Sequence, residues 1–553
     1  MARRINVQEN LLDRVIRAVD PVRAARRYQA RMMLAVAGGY TGGSKARRSL
    51  STFRPQELSA DAALLPDLAI LRDRSSDLVR NSPLAAGAIN TVCTSVVGPW
   101  IKAKSNIDRE FLGLTDDEAE VWESDAEFLW NMFADSPECD TTRTQNFHGL
   151  CDLVLRAALE SGDVLSMLPF IERPGSPFGL KITLIEGARV CNQGWKQDTL
   201  ELSGGVHVDG NGAPFAYDIL KTHPGAVSRQ GREWTTVNAF GADSGRRNVL
   251  HHFTRLRPGQ NRGVPYFAPV VEHLKMIADY TEAELMAAVV SGFFTVFIKN
   301  KDGTGAEGLS AMQPTTEVGG SASDTDYKLG NGAIIGLADG EEIDTANPGR
   351  PNTAFDGFVR SIAEQIGVAL ELPYEVLVKH FTASYSAARA ALLEAWRFYR
   401  KKRAWLAGSF CQPVYEEFLT ECVARGLLRA PGFLDDPYVR RAYCLATWYG
   451  VPMGHIQPAQ EANAAQTRIE TGITNLEQEI ADYNGGDWED THAQSVRERK
   501  ARQEGGLGGN TSDNEPPAAD DTDDEADDAK KKKQEEETGE AQKGRARRVS
   551  TPT

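Results

Sequence analysis

The sequence predicts an α+β protein, and three observations carry that assignment. Apolar residues recur at helical spacing between about 61 and 160. From about 163 to 256 they fall into short strand-like runs separated by Gly204-Gly205, Asn211-Gly212 and Pro224-Gly225. Two strongly helical segments then flank an irregular insert of about 60 residues, longer than compact domains usually tolerate without a functional reason. A further helical region closes the folded part.

The elements follow in order. In residues 1–60, Ile5, Leu11, Leu12, Val15, Ile16 and Val19 form one helical stripe, and the rest reads as a flexible arm. Asp61 is placed to cap a helix running through Leu71. Thr115-Asp-Asp-Glu118 is a capping box ahead of Val121, Trp122, Phe128, Leu129 and Phe133. His148–Leu159 is a further amphipathic helix. Val164–Phe170, Leu180–Ile185, Gly205–Val208, Ala216–Leu220 and Val249–Phe253 read as strands.

Tyr266–Gly292 is the clearest helix, with Phe267, Val270, Leu274, Ile277 and Leu285 on one stripe. Phe293–Ile298 is β-like, 299–326 is rich in Gly, Ser and Thr, Ala333–Leu337 is a strand candidate, and Pro348–Pro351 closes the insert. Phe355–Leu370 is the partner helix, ended by Pro373. A long helix runs from about Ser384 to Cys411, and Pro413 starts or kinks another to Gly426. Residues 456–483 are again helical. From about 501 the composition becomes low-complexity and is expected to be disordered.

The chain has 553 residues, 62 Lys+Arg and 77 Asp+Glu, and a net charge of −15. Its length corresponds to roughly three to four modules. The charge is uneven. Residues 1–48 hold 11 Lys/Arg and 3 Asp/Glu, net +8, whereas 513–553 are net −5, which leaves −18 on 49–512. Such a body does not suit a protein that grips nucleic acid over its whole surface. The seven cysteines lack C-x-x-C spacing and are odd in number, so buried reduced thiols are expected rather than disulfides or zinc. Charges at Glu9, Asp13, Arg14 and Arg17 interrupt any signal-peptide core. The longest strongly apolar run, Leu285–Ile298, is 14 residues, too short to span a bilayer. A soluble, intracellular protein without membrane contact is expected.

Chemistry is thinly signalled. No G-x-x-x-x-G-K-[ST], G-x-S-x-G or H-E-x-x-H is present. His251-His252, adjacent on a strand, face opposite ways and make a poor chelate. Asp116-Asp117, Glu341-Glu342 and Asp435-Asp436 read as solvated acids. No catalytic residue, cofactor or metal is expected. Arg397, Arg400, Lys401, Lys402 and Arg403, interleaved with Trp396, Phe398, Tyr399 and Trp405, make a basic helix that either contacts phosphates or pairs with acidic neighbours. Glu272, Lys275, Asp279 and Glu282 on one long helix, and Asp356, Arg360 and Glu364 on the other, form charged faces.

The order of short marks from Leu64 to Glu498 resembles a family. Ala62-Ala-Leu-Leu-Pro66 is followed by Leu78-Val-Arg-Asn81 and Ala85–Gly98. Arg257-Pro-Gly-Gln-Asn-Arg-Gly263 leads into the first long helix. Leu370-Glu-Leu-Pro-Tyr-Glu-Val-Leu377 precedes Ser384-Tyr-Ser-Ala-Ala-Arg389. Ile456-Gln-Pro458, Gly472-Ile-Thr474 and Gly485-Gly-Asp-Trp488 come late. Together they are similar to the portal proteins of tailed bacteriophages, lambda-type branch.

The resemblance implies a portal fold assembled as a ring, typically of twelve subunits, around an axial channel for double-stranded DNA at one capsid vertex. It divides the chain into a basic arm (1–60), a wing (61–264), a first stem helix (265–292) and a clip (293–353). A second stem helix (354–371), a tunnel loop (372–385), a helical wing and crown region (386–500) and a charged tail (501–553) follow. It implies a terminase large subunit and then a head–tail connector protein as clip partners, with major capsid and scaffold proteins around the ring. Lys379 and His380 in the tunnel loop become DNA-contact candidates, together with the basic helix. The stem charges become channel-wall or inter-subunit candidates. Two other classes stay open on sequence: a metal-dependent nuclease of a phage or prophage, and a monomeric adaptor whose basic arm binds nucleic acid.

Overall fold

The computed structural model describes residues 16–36, 41–43, 48–50, 52–227, 232–292, 296–300, 341–345, 355–381, 384–454, 458–484 and 488–505. Ala333–Leu337, Pro348–Pro351, most of the insert, the stripe through Val15 and the tail from 506 lie outside these. The described chain is mixed helix and sheet and forms two compact units, 1–453 and 454–553.

After a helical stretch over 16–19, the first unit continues with the helix Pro21–Val36, where an arm without regular structure was expected. The local sequence accounts for it. Asp20 Oδ1 accepts from the backbone N–H of Val22 (3.1 Å) and Arg23 (3.0 Å), and Pro21 occupies the first helical position. The next helix, Ala60–Asn81, runs ten residues beyond Leu71 and is capped by Ser59 rather than Asp61. Asp61 instead accepts from the backbone N–H (2.9 Å) and Nδ2 (2.8 Å) of Asn261. Pro83–Val96, Asp116–Ala134 and Phe147–Ser161 complete the helical layer. The capping box forms as read: Glu118 N–H donates to Thr115 Oγ1, and Thr115 N–H donates to Glu118 Oε2.

The sheets are antiparallel. β1 (Ile101–Ser105) pairs with β11 (Ala446–Gly450), Ile101 opposite Gly450. β2 (Asp163–Met167) lies between β3 (Thr183–Glu186) and β8 (Val249–Phe253). A smaller sheet orders β4 (Leu202–Ser203), β5 (Val206–Val208), β6 (Pro214–Leu220) and β7 (Trp234–Asn238). In the insert, β9 (Val296–Asn300) pairs with β10 (Glu341–Thr345), which carries the acid pair Glu341-Glu342.

Two cores share one strand. Strand alternation sends Val164 into the large core and Leu165 into the small one beneath the four-stranded sheet. The large core centres on Trp130, which meets Phe147 (4.9 Å), Tyr415 (5.2 Å) and Phe418 (5.3 Å) edge-on. His251 and His252 face opposite ways, as expected. His251 reaches Asp163, and His252 Nε2 lies 2.8 Å from Ser166 Oγ. All seven cysteines are free thiols.

The two helices read around Pro413 are one continuous rod. Tyr385–Leu406 passes through a wide turn, Ala407–Cys411, into Gln412–Ala424. Proline lacks an N–H and its ring clashes with the carbonyl four residues back; a π-type turn removes both conflicts. The second unit holds the helices Pro458–Glu470, Leu476–Asn484 and Trp488–Glu504. Its first two are tied by a two-pronged bond from Arg468 to Glu479, both arms 2.7 Å.

A buried charge hub fixes the turn into the long helices. Asp163 accepts from Arg262 Nε (2.7 Å), Arg72 Nη2 (2.6 Å) and Gly263 N–H (3.1 Å). Arg262 also donates to the carbonyls of Gly187 (2.6 Å), Val190 (2.6 Å) and Gly204. Burial alone would raise the Asp163 carboxyl, but Arg262 and Arg72 overrule it and hold it well below the usual carboxylate range. Gly162 and Gly263 lie back to back here. A Cβ on Gly263 would stand 1.9 Å from the Gly162 carbonyl oxygen.

Candidate functional site

The first long helix spans Val271–Gly292. The turn 266–270 that precedes it is not α-helical, because Pro265 and the bond from Tyr266 N–H to Leu159 O (2.8 Å) hold the chain in tight turns. Tyr266 Oη bonds the carbonyl of Leu370, joining this turn to the end of the second helix, Phe355–Ala369. Leu274, Ile277, Ile362, Ala363 and Ile366 are buried. Further out, Tyr280 stacks on Phe355 (5.5 Å) and meets Phe358 edge-on (5.0 Å). The helices also carry exposed apolar side chains that these contacts leave uncovered: Met276, Leu285, Met286, Val289 and Val368, the last by 83 %.

The predicted stem charges are all exposed. Lys275 pairs with Asp279 and Arg360 with Glu364 (2.9 Å), each within its own helix. Arg360 also lies over the Tyr374 ring (5.0 Å). Glu272, Glu282 and Asp356 are exposed as well.

The segment 372–385 is more ordered than the word loop suggests. It contains a short helix, Tyr374–Val378, whose Val376 and Leu377 are buried. Two non-glycine residues in left-handed conformation flank it, Glu371 (φ 55°) and Lys379 (φ 56°). Lys379 ends the helix, its N–H bonding Glu375 O, and His380 N–H bonds the same carbonyl (3.1 Å). Both side chains are exposed.

The five basic residues of the long helix divide into two kinds. Arg397, Arg400 and Lys401 are exposed. Arg397 pairs with Glu394 (2.8 Å), and Lys401 lies 3.6 Å from Glu371. Lys402 is half-buried with Nζ over Phe398 (5.5 Å), and burial lowers its affinity for the proton. Arg403 is spent inside the protein, which corrects its reading as a phosphate contact. It donates to the carbonyls of Val96 (2.9 Å), Ser95 (3.1 Å) and Val451 (2.7 Å), closing the end of Pro83–Val96. An i, i+3/i+4 pattern cannot tell an arginine facing solvent from one facing another helix's carbonyls.

A cavity of 520 Å³ brings Glu364, Arg397 and Lys401 together with Glu371, Glu394 and Tyr374. Lys379 and His380 are not among its lining residues. Three carboxylates against two cations make a nearly balanced surface, unsuited to holding a polyanion tightly. No group of three or more His, Cys, Asp or Glu able to hold a metal occurs among the described residues. No described helix is long and apolar enough to cross a membrane.

The sequence profile described as "Phage portal protein, lambda family" matches residues 46–403. The chain belongs to the lambda family of phage portal proteins. The match takes in the hub, both long helices and the Lys379 segment. Among curated relatives of this portal chain, the portal protein of Escherichia phage N15 is 26% identical over 489 residues. That alignment covers 85% of this chain and 91% of the relative. Portal protein B of Escherichia phage lambda is 25% identical with the same coverage. Among solved structures, a chain in the neck of an empty GTA particle is similar with TM-score 0.42 at 12% identity, over 75% of this chain and 92% of that one. The residues that sequence reasoning passed over in this portal are the exposed apolar side chains of the two long helices. It placed Leu285 on a stripe assigned to the core, whereas Leu285 is exposed.

Proposed function

We propose that this portal chain assembles with copies of itself into a ring, of twelve subunits, at one vertex of a virion capsid. Double-stranded DNA enters during packaging and leaves during ejection through the axial channel. The observation that carries the ring is the apolar surface left on the stem. Two helices cannot cover Leu285, Met286, Val289 and Val368 by themselves, and a neighbouring copy can.

Charge supports passage without grip. Residues 49–512 carry −18, which twelve copies multiply to about −216. Phosphate is repelled by such a wall and slides. Lys379 and His380, with Arg397, Arg400 and Lys401, supply weak sequence-independent contacts. Glu272, Asp279, Glu282, Asp356 and Glu364 act as wall or inter-subunit charges. The insert 293–353 serves as the clip, docking a terminase large subunit and afterwards a head–tail connector, while capsid and scaffold proteins contact the rim. The chain itself neither hydrolyses ATP nor cuts DNA. Host cytoplasm is its compartment during assembly.

Native mass spectrometry with negative-stain microscopy tests the ring. Wild-type chain is expected as closed rings with a hole of duplex width. Leu285→Glu is expected to disperse them while the monomer stays folded. Dispersed wild-type monomers would sink the reading.

A further inference from the structure

We propose that the helix Pro21–Val36 is a second DNA-binding element, taking the phosphate backbone of a duplex without regard to sequence. Three observations converge on it. Residues 21–56 contain eight Lys/Arg and no Asp/Glu, in a chain with 77 acidic residues out of 553. Seven of those eight are arginines, whose planar fork bonds phosphate through two N–H groups at once. The helix carries its own N-terminal cap at Asp20 and Pro21. Arg23 and Arg27 share one side at i, i+4 spacing, Arg26 adjoins them, and all three are exposed.

The competing occupant is the acidic body of another copy, and charge density decides against it. The whole chain spreads 15 net negative charges over 38582 Å². A B-form duplex carries one per ~1.7 Å of axis with condensed counterions to release, more than an order of magnitude denser. Counterion release is the larger drive, so a tethered cationic helix leaves a protein surface for a duplex. This element differs from the Lys379 segment in placing several cations together along one helix rather than one at a helix end. It rests on the portal reading only for the source of the duplex.

The test measures fluorescence anisotropy of a random-sequence duplex with the full-length chain across a salt series. Arg23→Gln/Arg26→Gln/Arg27→Gln is compared with wild type. Each lost phosphate contact lowers the slope of log K against log salt by ~0.9, so a fall of about two to three is expected. Thermal stability and oligomeric state should not change. An unchanged slope overturns the proposal. So does a variant that loses binding to vesicles containing anionic lipid yet holds DNA as before. Ala25→Pro keeps every arginine but breaks the helix, and undiminished DNA affinity in that variant also overturns it. Failure of the wild type to form rings would count against the portal reading alone, since the anisotropy comparison is equally valid on dispersed chains.

Discussion

Arg262 donates to Asp163 across 2.7 Å in a site where the two side chains are 2% and 0% exposed. The arginine belongs to the segment that leads into the helix Val271–Gly292, and the aspartate begins β2, between the two cores. Removing Arg262 leaves a buried carboxylate with one arginine fewer and strands the carbonyls of Gly187, Val190 and Gly204. Arg262→Ala is therefore expected to cost about 3–5 kcal/mol, the usual penalty for breaking a buried pair from one side. Urea unfolding measures it. Arg262→Lys should recover little, because one ammonium cannot reach Asp163 and three carbonyls. A loss under about 1 kcal/mol would show the hub to be ornamental.

The histidines beside the hub give a pH dependence with a definite sign. Burial pushes His252 down to about 3, and His251 is lowered mainly by burial, against the pull of Asp163. His252 therefore stays neutral in the folded chain while the unfolded chain takes up protons near pH 6.5, and the lowered His251 acts in the same direction. The unfolded state binds more protons, so stability falls as pH drops below that value. His252 alone should account for about 2 kcal/mol between pH 7 and pH 5. His252→Gln should flatten the dependence in thermal melts over that window. Asp163 adds a separate loss only at lower pH. Its folded carboxyl is held down, so its contribution is complete above the ordinary carboxylate range and disappears as pH falls through its own depressed value.

Local signals were legible, and distant pairings were not. The Thr115 capping box and β8 over Val249–Phe253 appear as read, because a cap and an alternating strand are written in consecutive residues. β1 and β11 were missed. Ile101 and Gly450 meet across most of the chain, and neither five-residue segment announces its partner. The helix Pro21–Val36 was passed over although Asp20-Pro21 is a start signal, because basic composition outweighed the cap. The sequence did not show the left-handed backbone of Lys379, and it grouped Arg403 with Arg397 although one faces carbonyls and the other water.

That last distinction is measurable. Arg403→Ala removes donors from three partly buried carbonyls and a stacking contact with Trp396 (5.3 Å), and should cost about 2–3 kcal/mol. Arg397→Ala removes only an exposed pair with Glu394 and should stay within about 0.5 kcal/mol. Differential scanning calorimetry separates the two. Similar melting shifts for both would mean that Arg403 is not the closing group of Pro83–Val96.

Lys379 joins two requirements in one residue, and two substitutions pull them apart. Its left-handed backbone ends Tyr374–Val378, a position where glycine is ordinarily favoured, and its exposed ammonium is the contact proposed for DNA. Lys379→Gly relieves the backbone and should stabilise the fold by up to about 1 kcal/mol. Lys379→Ala keeps the strain and should be close to neutral. Both remove the same charge, so both should weaken duplex binding and lower packaging yield by a similar factor. A charge role thus predicts equal functional loss with unequal stability. If function instead follows stability, with the glycine variant packaging as well as wild type and the alanine variant impaired, the residue matters for its backbone and the ammonium is a bystander.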